Sequence, residues 1–180
     1  MNRILRNSIS GAVAAAALLW AGASPARAAD GACVSIAASS AQKGGGAYGT
    51  TFSATAIIDI DLSVLFTQAS GPTLSGDHVA EFKIYTPDHG LYQSISVPFT
   101  SNVQAQGTKR EIPGYPMPLP VKVLSPTTIG NVRYLRATAR LPVGGTLIVS
   151  NGLYGAWTVQ AFIDGSPVAC STPVAFTITP

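Results

Sequence analysis

Every second residue from Phe52 to Phe66 is apolar: Phe52, Ala54, Ala56, Ile58, Ile60, Leu62, Val64 and Phe66. The positions between them include Ser53, Thr55, Asp59, Asp61, Ser63 and Thr67. Successive side chains of a strand point to opposite faces, so this stretch has one dry face and one wet face. It is long enough for one bent strand or two short ones. No sustained 3.6-residue apolar stripe with capping signals occurs anywhere in the chain, and Glu, Lys and Leu are scarce. A chain patterned this way has to bury its apolar side chains as sheet.

The same period returns along the rest of the sequence. Cys33 to Ala38 reads as a first short strand, and the segment 39–50, with Gly44, Gly45 and Gly46, as a flexible loop. After a Gly/Pro/Ser loop over 69–77, Val79 to Thr86 reads as a strand with Ala80, Phe82 and Ile84 on one side. Pro87-Asp88-His89-Gly90 has the residues of a tight turn. Leu91 to Phe99 places Leu91, Ile95, Val97 and Phe99 on one face and completes a hairpin. Pro113, Pro116, Pro118, Pro120 and Pro126 exclude a central strand over 112–126, leaving an extended surface segment or an edge. Val132 to Leu141 puts Leu135, Ala137, Ala139 and Leu141 on one face. Thr146 to Val149 reads as a short strand after a break over 142–145. Leu153 to Ile163 puts Leu153, Trp157, Val159, Ala161 and Ile163 on one face. Asp164-Gly165 signals a hairpin, and Val168 to Ile178 reads as the last strand. The expectation is an all-β protein, a Greek-key β-sandwich of about seven to nine strands, with an up-and-down β-barrel as the alternative.

Residues 1–28 have the pattern of a secretory leader: Arg3 and Arg6, an uncharged apolar run from Gly11 to Ala23, then Ala26-Arg27-Ala28 before the expected cut. The run is short of the roughly 20 residues of a membrane-spanning helix, and no later stretch is long enough. Residues 29–180 would then form a single β-sandwich domain. Removal of the leader changes the charge. The whole chain has 11 Lys+Arg against 8 Asp+Glu. Three of the bases and none of the acids lie in the leader, so the remainder carries no net formal charge. Its largest basic cluster is Lys109-Arg110, which does not support nucleic-acid binding. Arg133 faces away from Arg136 and Arg140 in a strand, so these three make no basic stripe.

Cys33 and Cys170 are the two cysteines. In an exported chain they have one intramolecular pairing, and closing so long a loop is worth about 4–5 kcal/mol in the chain-entropy model. Neither cysteine lies in a Cys-x-x-Cys or at a recognisable zinc spacing.

Two stretches resemble bacterial exported immunoglobulin-like domains. Val79-Ala80-Glu81-Phe82-Lys83-Ile84-Tyr85-Thr86-Pro87-Asp88-His89-Gly90-Leu91-Tyr92-Gln93 is similar to a strand–turn–strand of that class. Gly152-Leu153-Tyr154-Gly155-Ala156-Trp157-Thr158-Val159-Gln160-Ala161-Phe162-Ile163-Asp164-Gly165 is similar to its penultimate strand and last hairpin. The resemblance implies a sandwich in which Cys33 and Cys170 join the first and last strands. It does not extend to Cys33–Ser75 or to the proline-rich segment.

The inventory for chemistry is small. Asp77-His78 and Asp88-His89 offer an imidazole beside a carboxylate, but neighbours in an extended chain diverge and both pairs fall at loops or turns. Glu81 and Glu111 are the only glutamates, and there is no Gly-x-Ser-x-Gly elbow. Asp59 and Asp61 share one strand face, outside any calcium-loop pattern. Tyr85, Tyr92, Tyr115, Tyr134 and Tyr154 could build an aromatic platform, with Tyr154 placed to fasten a strand corner and Trp157 in the core. Tyr115-Pro116-Met117-Pro118 is the most exposed-looking apolar stretch and a possible partner-binding edge. No catalytic, cofactor or metal residue is assigned.

The expectation is an exported, non-enzymatic binding or accessory module of the cell envelope. Sec export would carry it to the periplasm or the medium, where its partner is a protein or an envelope component. A structural subunit of a fibre or coat joined by strand exchange is the alternative. A periplasmic metal-binding protein or hydrolase using the Asp-His pairs ranks last. Charged residues are 11% of the chain, against about 25% in a typical soluble domain. That low value suits a surface made to sit among partners.

Overall fold

The alternation at Phe52–Phe66 divides into two strands that lie in different sheets. The computed structural model describes residues 33–40, 49–67, 76–129, 132–170 and 172–180. The leader expected at 1–28 and the glycines at 44–46 lie outside these. Strand β1 (Cys33–Ser40) is followed by β2 (Thr51–Ser53) and β3 (Asp59–Thr67). Strands β4 (Asp77–Tyr85) and β5 (Leu91–Thr100) form the expected hairpin. Short pieces follow: β6 (Lys109–Arg110), β7 (Leu119–Pro120), β8 (Lys122–Val123) and β9 (Thr127–Ile129). Then come β10 (Val132–Pro142), one helical turn α1 (Leu147–Ser150), β11 (Gly155–Ile163) and β12 (Val174–Thr179).

One sheet has the order β1-β3-β10-β9 and the other β2-β12-β11-β4-β5-β8, while β6 and β7 pair separately. The fold is therefore an all-β sandwich of two open sheets, and the barrel alternative is not realised. The strand number is 12, above the seven to nine expected. Seven strands have six residues or more; the other five have two or three. The extra ones are fragments of loops that pair briefly with a sheet edge or with each other.

The core lies between the sheets. Ile60, Leu62, Val64 and Phe66 of β3 and Leu135, Ala137, Ala139 and Leu141 of β10 are buried from one side. Ala80, Phe82 and Ile84 of β4 and Trp157, Val159 and Ala161 of β11 are buried from the other. Phe66 stacks on Phe99 across the gap, with ring centroids 5.2 Å apart. Such burial is worth about 1.5–3 kcal/mol per large side chain and is the main force holding the sheets face to face. The Cys33–Cys170 disulfide joins the start of β1 to the connection ahead of β12, with Cα atoms 5.2 Å apart. Cys170 is thus not in the last strand itself, which begins at Val174 rather than Val168. Val168 is exposed.

Three local expectations are corrected. Ala56 and Ile58 do not continue the buried face, because Ala54–Ala56 turn and Ile58 is 74% exposed. Leu91 is exposed as well, and Tyr92 packs edge-on against Trp157 at 5.1 Å. A register shift between Ile84 and Tyr85 marks a bulge, and one extra residue reverses which side chains face inward. Thr146 to Val149 is not a strand. The Thr146 hydroxyl donates to the Val143 carbonyl at 2.7 Å and accepts the Ile148 N–H at 3.3 Å, capping α1 and burying Ile148.

Candidate functional site

The two sheets meet differently along the side where β10 faces β5 and β8. On β5 the edge is closed. Ser96 donates its N–H to the Tyr115 hydroxyl at 2.6 Å, and that hydroxyl donates to the Ser94 carbonyl at 3.3 Å. Ser96 therefore turns its amide away from β4. Residues two apart in a strand share that direction, so Pro98 stands at an outward position and has no N–H to offer. The Thr100 carbonyl, next in the row, accepts the Leu124 N–H at 2.8 Å.

On β10 the edge is open. Strand β9 pairs only with Val132–Tyr134, and among the described residues no strand pairs with Leu135–Pro142 on that side. A groove of about 690 Å³ runs there. Ile95, Val97, Leu124 and Ala139 supply its apolar floor, and Lys122, Arg136, Arg140 and Asp61 its polar margin. Asp61 already accepts a hydrogen bond from Arg140 Nε at 3.1 Å, with Asp59 at 3.8 Å. The Asp61 carboxylate, first through that bond and then through its charge, pushes the Arg140 pKa up. Three cations against one carboxylate leave the margin positive.

The residues singled out from the sequence fall as follows. Asp59 and Asp61 share the outward face and are paired with Arg140, so their partner is a cation of the same sheet. His78 does not meet Asp77. Its Nδ1 lies 2.7 Å from Asp164 Oδ2, while Asp164 Oδ1 accepts the Val79 N–H at 2.8 Å. The Asp164 N–H in turn donates to the Val79 carbonyl at 3.0 Å. This is a clasp between β4 and the turn after β11. Asp88 and His89 sit in the β4–β5 turn, His89 at φ 65°, and Asp88 accepts the Thr86 hydroxyl. That hydrogen bond, reinforced by the residue's own backbone N–H, holds the Asp88 carboxyl below its ordinary pKa. Trp157 is fully buried, and its Nε1 donates to the Leu153 carbonyl at 3.0 Å. That bond, rather than Tyr154, ties the corner. Of Tyr115-Pro116-Met117-Pro118, the first residue closes the β5 edge and Met117 is 72% exposed. Among the described residues no three His, Cys, Asp or Glu side chains converge as metal ligands.

Lys122 and Leu124 went unnoticed in the sequence. They lie in a proline-rich stretch without period, and only the chain's return beside β5 brings them to the groove. Comparison of the chain with protein-family models, with curated proteins and with solved structures found no significant match.

Proposed function

We propose that this protein is an exported, non-enzymatic, immunoglobulin-like binding or accessory module of the bacterial cell envelope, and that the groove beside β10 is its binding face. The observation that carries the reading is the contrast between the two neighbouring edges. One is sealed by a tyrosine hydroxyl, a proline and a loop amide, and the other is left unpaired above an apolar floor. Open edges invite pairing with another chain, and proteins cover those they do not use. The disulfide fits an oxidising compartment. The engagement of His78, Asp88, Asp59 and Asp61 in clasps, turns and ion pairs supports a binding role over an enzymatic one. The leader pattern supports Sec export to the periplasm or medium, and the two resembling stretches support the immunoglobulin-like kind. The partner is a protein or an envelope component, with no cofactor.

The test is capture from the native envelope by the processed protein, compared with Lys122→Glu and Arg136→Glu variants. A partner held by the wild type and released by the variants is expected. A turnover or bound metal abolished by His78→Ala or His89→Ala overturns the reading.

The same open edge favours a second reading, a fibre or coat subunit joined by strand exchange. Size-exclusion chromatography separates the two: a stable monomer supports the module, and a ladder of oligomers the subunit.

A further inference from the structure

We infer that the β10 edge takes an extended partner segment in which acidic and apolar residues alternate, added as a strand beside Leu135–Pro142. This rests on the binding-module reading and names the chemistry of its ligand.

The chain contains its own example of such an occupant. On the paired side of β10, β3 runs Asp59-Ile60-Asp61-Leu62, with Arg140 opposite Asp61, Leu141 opposite Ile60 and Ala139 opposite Leu62. Ile60 and Leu62 are fully buried, and both aspartates turn outward to Arg140. The free side repeats those demands. A strand laid there has every second side chain directed between the sheets, onto Ile95, Val97 and Leu124. The intervening side chains come out beside Arg136 and Arg140, with Lys122 at the margin. Asp61 is committed to Arg140, so the surplus charge is positive and a carboxylate meets it best. The β10 backbone supplies affinity through main-chain hydrogen bonds, and the two rows of side chains supply the selection. The facing β5 edge cannot compete for the segment, because Tyr115 and Pro98 remove its outward donors.

The experiment uses the processed protein and a fluorescent peptide of alternating Asp and Ile. Two control peptides accompany it, one with Lys in place of Asp and one N-methylated at alternate amides. Anisotropy is expected to show saturable binding of the acidic peptide, no binding of the Lys peptide, and affinity about tenfold weaker in 0.5 M salt. Lys122→Glu, at an exposed position, is expected to weaken binding about tenfold with an unchanged thermal melt. N-methylation at the amides that face β10 is expected to abolish binding, and this arm needs no protein variant. Absence of binding by the acidic peptide, or equal binding by the N-methylated one, overturns strand addition. If the envelope partner is still captured but an excess of acidic peptide fails to displace it, the module reading stands and this inference fails alone.

Discussion

The Tyr115 hydroxyl sits 2.6 Å from the Ser96 amide nitrogen and covers the β5 edge 19 residues away in the chain. Tyr115→Phe keeps the ring and removes this acceptor and the bond to Ser94. The expected loss is about 1–2 kcal/mol in a denaturant melt. The freed Ser96 amide is also expected to raise self-association, measured by sedimentation velocity. A variant as stable and as monomeric as the wild type would show that the hydroxyl does not guard this edge.

Asp164 joins β4 to the turn after β11 by two acceptor bonds, and its φ of 51° suits Asp, Asn or Gly. Asp164→Ala loses both bonds and strains the backbone, with an expected cost of about 2–3 kcal/mol. Asp164→Asn retains an acceptor for Val79 and tolerates the turn, so it is expected to cost less than half of that. Equal losses in urea melts would assign the effect to charge rather than to turn geometry.

Cys33 and Cys170 close a loop of sequence separation 137. Replacing both by Ser is expected to cost about 3–5 kcal/mol, chiefly by freeing the unfolded chain. The readout is the shift in denaturation midpoint, which treatment of the wild type with reductant should reproduce. A shift confined to a few tenths of a kcal/mol would mean that the core alone holds β1 in place.

Gly155 has φ 131°, and a Cβ there would stand 3.1 Å from Pro87 Cγ. Backbone strain and contact with a rigid ring act together, so Gly155→Ala is expected to lose about 2–3 kcal/mol. Gly165→Ala, where φ is 72° but the space is open, isolates the backbone contribution and is expected to lose less. Thermal melts of the two variants compare them directly.

Asp88 is held below its ordinary pKa, most strongly by the Thr86 hydroxyl. A carboxyl depressed in the folded state stabilises it above the unfolded pKa of about 4, and the contribution disappears as pH falls through the folded value. Thr86→Val is therefore expected to lower the melting temperature at pH 7 and to lie closer to the wild type at pH 2.5. A gap that widens on acidification contradicts the assignment.

Much of the sandwich was legible in alternation. The face formed by Leu135, Ala137, Ala139 and Leu141 is the buried face of β10, and Ala80, Phe82 and Ile84 are that of β4. The single cysteine pairing could be counted, and Pro87–Gly90 named its own turn. Alternation failed where one residue changes the phase: at the bulge that turns Tyr92 inward in place of Leu91, and at the break where Ile58 leaves the core. It also failed at Thr146, whose hydroxyl closes a helical turn that a four-residue apolar pattern cannot distinguish from a strand.

The candidate site was less legible because its parts are defined by neighbours. Period and composition settle that this chain builds sheets and which faces of its longer strands are dry, since those depend on residues one or two positions apart. Tertiary structure alone decides that Tyr115 seals β5 while β10 stays open, and that Lys122 and Leu124 come to line the same groove as Arg136. Which edge remains unpaired depends on how distant strands are ordered, and a side chain's direction within its own strand carries no information about that order.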